Sequence, residues 1–360
     1  MKKKLIITAI TFMAISAKAQ DSTKRNPLSI SGYVETYYVY DFNKPINNTR
    51  PSFIYSHNRA NEVNLNLGFI KAAYNTEQIR ANVALGAGTY LNANLSSEPN
   101  VLKNIYEANA GVKLSKKTEL WLDAGIFASH IGFESAISKD CWNLTRSVLA
   151  ENTPYYESGV KLGYTSKNSK WFLSALLLNG WQRIQRIDGN TTPAFGTQVT
   201  YKPNASITLN SSTFVGNDKP DSLRQMRYFH NLYGIFQMNK VSGVTLGFDA
   251  GMQQKAKGSS RMDNWYSGVV ILKLNTSSKT ALSTRAEYYL DEHGVIVNTG
   301  TANGFKIWGF SANFDYAINN QVLWRIELRN LSSKDKIFRD KNMTAKSGNT
   351  FLSTSLAINF

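Results

Sequence analysis

Phe351-Leu-Ser-Thr-Ser-Leu-Ala-Ile-Asn-Phe360 ends the chain, and its reading decides the fold. Counting back from Phe360, the residues Ile358, Leu356 and Leu352 share its side, while Asn359, Ala357, Ser355 and Ser353 take the other. A side-chain period of two belongs to a strand; an apolar helix face would repeat every 3.6 residues.

The same alternation recurs upstream. Leu28, Ile30, Val34, Tyr38, Tyr40 and Phe42 oppose Ser29, Ser31, Glu35 and Asp41. Val63, Leu65, Leu67 and Phe69 interleave with Asn64, Asn66 and Gly68, and Ile79, Val83, Leu85 and Leu91 with Arg80, Asn82, Gly86 and Gly88. Tyr106, Ala108, Ala110, Val112 and Leu114 oppose Glu107, Asn109, Gly111 and Lys113. Further segments run over 120–128, 158–164, 195–201, 207–215, 244–252, 282–290 and 322–328. Two stretches, 171–178 and 265–274, are apolar on both faces, so their register stays open.

The connections alternate in length. Long ones cover 43–61, 93–103, 129–154, 182–193, 216–223, 254–263, 291–303 and 332–348; tight ones cover 75–77, 115–117, 166–169, 203–204, 239–242, 275–278 and 319–320, rich in Asn, Ser and Pro. A soluble sandwich has the same solvent at both ends and no reason to obey such parity. A barrel crossing an outer membrane does, with short periplasmic turns and longer external loops. The expected fold is therefore all-β: a transmembrane up-and-down antiparallel β-barrel of about sixteen strands, both termini periplasmic. Tyr37, Tyr38, Tyr40, Tyr155, Tyr156, Tyr228 and Tyr288 fall near segment ends, where those facing lipid would form interfacial girdles.

Lys2, Lys3 and Lys4 precede an apolar run from Leu5 to Ala17 and the small-x-small pattern Ala17-Lys18-Ala19. This predicts a cleaved signal peptide over 1–19, a short segment over 20–27 and the barrel over 28–360. The run is too short to span a bilayer as a helix, and no later window of about 18 apolar residues exists. Removing Lys2, Lys3, Lys4 and Lys18 takes the formal net charge from +16 to +12. Export disfavours nucleic acid as the partner of that charge, leaving lipopolysaccharide at the surface or anions in a lumen. Outer-membrane lipid is the expected surroundings, and a homo-oligomer is left open. The closing strand ending on Phe360 resembles the signal read by the outer-membrane assembly machinery. The single cysteine, Cys141, can form no internal disulfide and reads as a small buried side chain.

A barrel of that size is wide enough for water, so function lies in what lines and narrows it. Arg80 and Glu107 fall on inner faces, as do Arg285, Glu287 and Asp291 of one strand and Arg325, Glu327 and Arg329 of another. Charges there must meet water or partners, and they are expected to line the channel, to brace its wall, or both. The connection over 132–154 mixes Glu134, Asp140, Asn143, Arg146 and Glu151 with Phe133, Ile137, Trp142, Leu144, Val148 and Leu149. That is too apolar for a loop wholly in water, so it is expected to fold into the barrel as a constriction.

ASHIGFESAISKDCWNLTRSVLAENTPYYESG (128–159), LNGWQRIQR (178–186), RAEYYLD (285–291) and RIELRN (325–330) resemble the family of OmpL-like β-barrel porins, also called β-barrel porin-2. The resemblance spans the mature chain and implies a porin-like barrel. In that family a Glu, an Asn and an Arg-Ser pair mark the long loop, matched by Glu134, Asn143, Arg146 and Ser147; the aromatic usually near the Arg-Ser pair is displaced to Trp142. The expected function is a water-filled channel for small hydrophilic solutes, with an anion preference open and no cofactor. The alternative is an adhesin or structural barrel acting through external loops. A barrel enzyme is disfavoured: His57, His130, His230 and His293 are far apart, none spaced with a Ser and an acid or amide as catalysis requires. Asp291-Glu292-His293-Gly294 reads as a turn rather than a metal site.

Overall fold

Alternating faces become inside and outside once a sheet closes on itself, and closure leaves no unpaired edge for lipid to meet. The computed structural model describes residues 26–360, so the expected leader over 1–19 lies outside the described residues. In chain order the strands are β1 (Leu28–Asp41), β2 (Val63–Asn75), β3 (Ile79–Ala87), β4 (Ile105–Lys113), β5 (Glu119–Ala128), β6 (Tyr156–Thr165), β7 (Trp171–Leu178), β8 (Ala194–Asn204), β9 (Ile207–Gly216), β10 (Arg227–Gln237), β11 (Ser242–Gln254), β12 (Met262–Asn275), β13 (Thr280–Asp291), β14 (Phe305–Ala317), β15 (Val322–Ser333), β16 (Phe338–Arg339), β17 (Ala345–Lys346) and β18 (Gly348–Asn359). All but β16 and β17, which form a separate small hairpin, make one closed barrel of neighbouring antiparallel strands. β1 pairs with β18, Val34 opposite Ile358, and Gly32 and Phe360 exchange backbone hydrogen bonds of 2.8 and 3.1 Å. Among the described residues no helix is long and apolar enough to cross a membrane, which says nothing of crossing by strands.

Outward faces carry the exposed apolar set, for example Leu246, Leu282, Leu328 and Leu352. Tyr266, Tyr288 and Trp308 lie side by side on β12, β13 and β14 near the rim of the long loops, with centroids 6.4 and 4.6 Å apart. Phe314 and Trp324 meet near the opposite rim at 6.2 Å. These two belts are where amphipathic rings favour a membrane interface. Both described ends of the chain leave from the rim of tight turns.

Four features correct or complete the sequence reading. A bulge in β2 opposite Glu35 and Thr36 puts Leu67 and Phe69 inside while Val63 stays exposed, because one extra residue flips the faces that follow. Leu91 is not in a strand: β3 stops at Ala87, and Gly88, at φ +135°, turns the chain into the short helix α1 (Thr89–Asn94). Tyr37, Tyr155 and Tyr156 point inward rather than joining a girdle. In β7 and β12 the apolar residues of the inner faces are covered by protein: Leu176, Leu178 and Trp265 join one buried cluster, and Val269 and Ile271 pack beneath Leu149 of the longest loop.

Candidate functional site

The loop 129–155 enters the barrel, and its own residues set its shape. Ser129 donates to the Tyr155 carbonyl at 3.0 Å, closing its base. His130 is held across the lumen wall, Nδ1 2.8 Å from Glu157 and Nε2 2.8 Å from the Thr213 carbonyl. Ser147 caps the helix α2 (Val148–Glu151) by accepting from Ala150 N at 3.1 Å, while its own N–H and hydroxyl donate to Glu134. Arg146 turns back onto the same loop, donating to the carbonyls of Ser135, Leu144 and Ala136 at 2.5, 2.7 and 3.0 Å. Glu134, Arg146 and Ser147, three of the four positions the family resemblance marks, thus tie the two arms of the loop together.

The wall of β13 to β15 grips what those contacts fold. Glu327 accepts from Thr145 N at 2.6 Å and its hydroxyl at 2.8 Å, and from Arg285 at 2.9 Å. Arg285 donates to the Thr145 carbonyl at 2.6 Å. Glu287 accepts from Val148 N at 2.6 Å and from Arg329 at 2.5 Å, and Arg329 also reaches the Arg146 carbonyl at 2.8 Å. Arg325 is bound by Asp315 at 2.7 and 2.9 Å and donates to the carbonyls of Ser138, Cys141 and Trp142. Asn143 reaches Ser311 at 3.2 Å, and Leu144 N donates to Asn313 at 3.0 Å. At the far end Lys139 reaches Asn320 O, in a tight turn, at 2.8 Å, so the loop runs the depth of the lumen.

This geometry separates the wall residues that sequence grouped together. Arg285, Glu287, Arg325, Glu327 and Arg329 point inward, yet none is more than 3% exposed: they are covered by the loop and spent on it. Asp291 accepts from the backbone N–H groups of Val295, Ile296 and Val297, holding the long loop that follows β13. Arg80 and Glu107 do face open space. They line a cavity of about 510 Å³ along β3 to β7 at the tight-turn rim, where Arg80 forks onto Asp123 and Lys71 pairs with Glu107. Among the loop residues, Asp140 is exposed, Trp142 packs against the cluster of Leu149, Val269 and Ile271, and Glu151 lines a second cavity of about 330 Å³ among the long loops.

Sequence reading missed Thr145, whose small side chain gave no signal, and the group around Glu35. Glu35 is fully buried; it accepts from Ser138 of the long loop and from Asn66, and faces His57 at 3.2 Å. A lone carboxylate on an inner face among tyrosines was the available sign. Cys141 is buried, and burial pushes its thiol up to about 11. One histidine does meet a serine: His230 and Ser211 lie 2.8 Å apart on the outward face, with no acid or amide bonded to the other ring nitrogen among the described residues. That pair lacks the orienting member of a catalytic triad.

The sequence matches the family described as "Putative beta-barrel porin-2, OmpL-like" over residues 27–360. No curated protein matches it. Among solved structures, outer-membrane expressed OmpT of Vibrio cholerae superposes with a TM-score of 0.60 at 10% identity over 94% of this chain and 99% of that one. An anion-selective porin from Comamonas acidovorans gives 0.60 at 10% over 92% and 99%, and a triple mutant of the Rhodopseudomonas blastica porin 0.54 at 10% over 92% and 100%. At these identities the likeness is one of fold.

Proposed function

Because the chain belongs to the putative β-barrel porin-2, OmpL-like family and is a multi-pass β-barrel of the outer membrane, we propose that it conducts small hydrophilic solutes by passive diffusion through the part of the lumen its long loop leaves open. The observation that carries this is the one-sidedness of the filling. The loop 129–155 occupies the lumen along β12 to β15 and β18, while the walls of β3 to β7 keep a polar cavity open at the tight-turn rim. That cavity shares Glu107 and Ala128 with a tighter space of about 60 Å³ bounded by Tyr90, Tyr106, Tyr155 and Tyr156. Gln182, in the wall of the loop-side cavity, accepts from Tyr155 N at 2.8 Å, so the tyrosines stand between the two cavities. They are the proposed narrowest point, and the loop is the constriction element that forces solutes past them.

The rim of tight turns is taken as periplasmic, following the usual disposition of such barrels. The long loops favour a pore over an adhesin, since 43–61 and 129–155 send residues such as Phe53, Ile54 and Leu144 into buried positions instead of displaying them. Self-association belongs to the same proposal: Ala81, Ala110 and Ala124 stand in register on the outer face of β3 to β5, smooth enough for a second copy to approach. Planar-bilayer recording of refolded protein tests the channel. Stepwise conductance is expected, rising in Tyr90→Ala and Tyr155→Ala; silence from correctly folded protein would refute it.

A further inference from the structure

Along the proposed route, nearly every carboxylate is already engaged within the protein. In the tight-turn cavity Glu107 holds Lys71, Asp123 takes both prongs of Arg80, and Glu119 holds Lys113. Lys161, opposite Asp123 in register on β6, lines the same cavity and has no ion-pair partner among the described residues; its ammonium stands 4.6 Å from the centre of the Phe127 ring. In the loop-side cavity one acid is paired with a cation and two are turned onto backbone N–H groups. Asp218 is bound to Arg227 at 3.0 Å and accepts from Trp181 N at 2.9 Å. Glu151 is turned onto the backbone N–H groups of Tyr55 and Ser56, and Glu98, beneath the cavity, onto those of Ile184 and Gln185. Arg183 lines this cavity with neither an ion pair nor a hydrogen bond among the described residues.

We infer that Arg183 and Lys161 are paired stations for small oxyanions, a carboxylate or phosphate solute, one on each side of the tyrosine constriction. This rests on the channel reading and goes beyond it, because it assigns selectivity to two residues outside the long loop. The physical reason is that an engaged carboxylate presents little field to a passing ion, whereas an unmatched cation in a cavity narrower than the Debye length does. The three arginines of β13 and β15 contribute little by comparison, since each is matched by an acid or by loop carbonyls and is sealed from water.

The test is reversal potential across a salt gradient in planar bilayers, using potassium chloride, potassium phosphate and potassium gluconate in separate arms. Wild type is expected to favour the anion. Arg183→Gln and Lys161→Gln should each lower the anion-to-cation permeability ratio about tenfold, since one unit charge acting over about 6 Å through water favours the anion and disfavours the cation by about threefold each. Lys161→Glu should invert the preference, and Arg183→Lys and Lys161→Arg should restore it. Arg186→Gln, removing a neighbour bound to the Thr192 carbonyl, should leave it unchanged. A wild type that conducts without anion preference, or Gln variants with unaltered ratios, overturns this assignment and leaves the channel standing. A folded wild type that does not conduct overturns both.

Discussion

Thr145 is the residue on which the loop's attachment converges. Its N–H and hydroxyl go to Glu327 and its carbonyl to Arg285, so backbone and side chain are gripped by one buried ion pair. Breaking such a pair from one side is costly because the other charge is left buried. Glu327→Ala should therefore weaken seating of the loop by about 3–5 kcal/mol, seen as new protease cleavage within 129–155 while the barrel keeps its heat-resistant folded band on electrophoresis. Glu151 offers a second handle, through pH. Burial pushes its carboxyl from the ordinary 4.5 up to about 7, against the pull of the Tyr55 and Ser56 N–H groups and the charges of Arg146 and Arg329. A carboxyl with a raised value binds its proton more tightly when docked than when free. Docking of α2 against the 43–61 loop should strengthen as pH falls from about 7 towards 4.5 and weaken as pH rises through 7. Amide exchange at Tyr55 and Ser56 measures it, and Glu151→Gln should flatten the response.

Among the elements, β12 shows how the loop is written into the wall. Its inner face carries Trp265, Val269 and Ile271 where an open pore would carry polar residues, and Ile271→Ala should loosen the loop by about 2–4 kcal/mol. Hydrogen exchange across Leu149 would report it, with β12 itself unaffected. The same strand explains where sequence reading stopped. Alternation and loop parity gave the closed barrel because both are local properties of the chain. The double apolarity of β12 and β7 had no local meaning, since the residues covering them lie more than a hundred positions away or on the far side of the loop. The bulge in β2 escaped for another reason: inserting one residue changes no composition yet reverses every later face, so Leu67 and Phe69 sorted with the wrong side. The charged residues of β13 and β15 were legible as inward-facing, but whether they met water or protein depended on a loop conformation that their spacing does not encode.

For the molecule as a whole, the outside is set by lipid and the inside by the loop, so equal substitutions should cost unequally. Ala110→Arg, at the outward middle of β4, should cost about 2–4 kcal/mol in lipid, whereas Asn109→Arg, next to it and facing the cavity, should cost far less. Urea unfolding from vesicles separates the two. The loop between β5 and β6 precedes by far in the chain its anchors on β13 to β15 and its contact with Asn359 beyond them. An unfinished wall thus offers that segment nothing to hold, and the trough stays flooded until the last hairpins arrive. Completion of the cylinder and filling of its bore become one event in time, so a chain halted before Thr280 should present a loose, digestible 129–155 segment whatever its earlier strands have achieved.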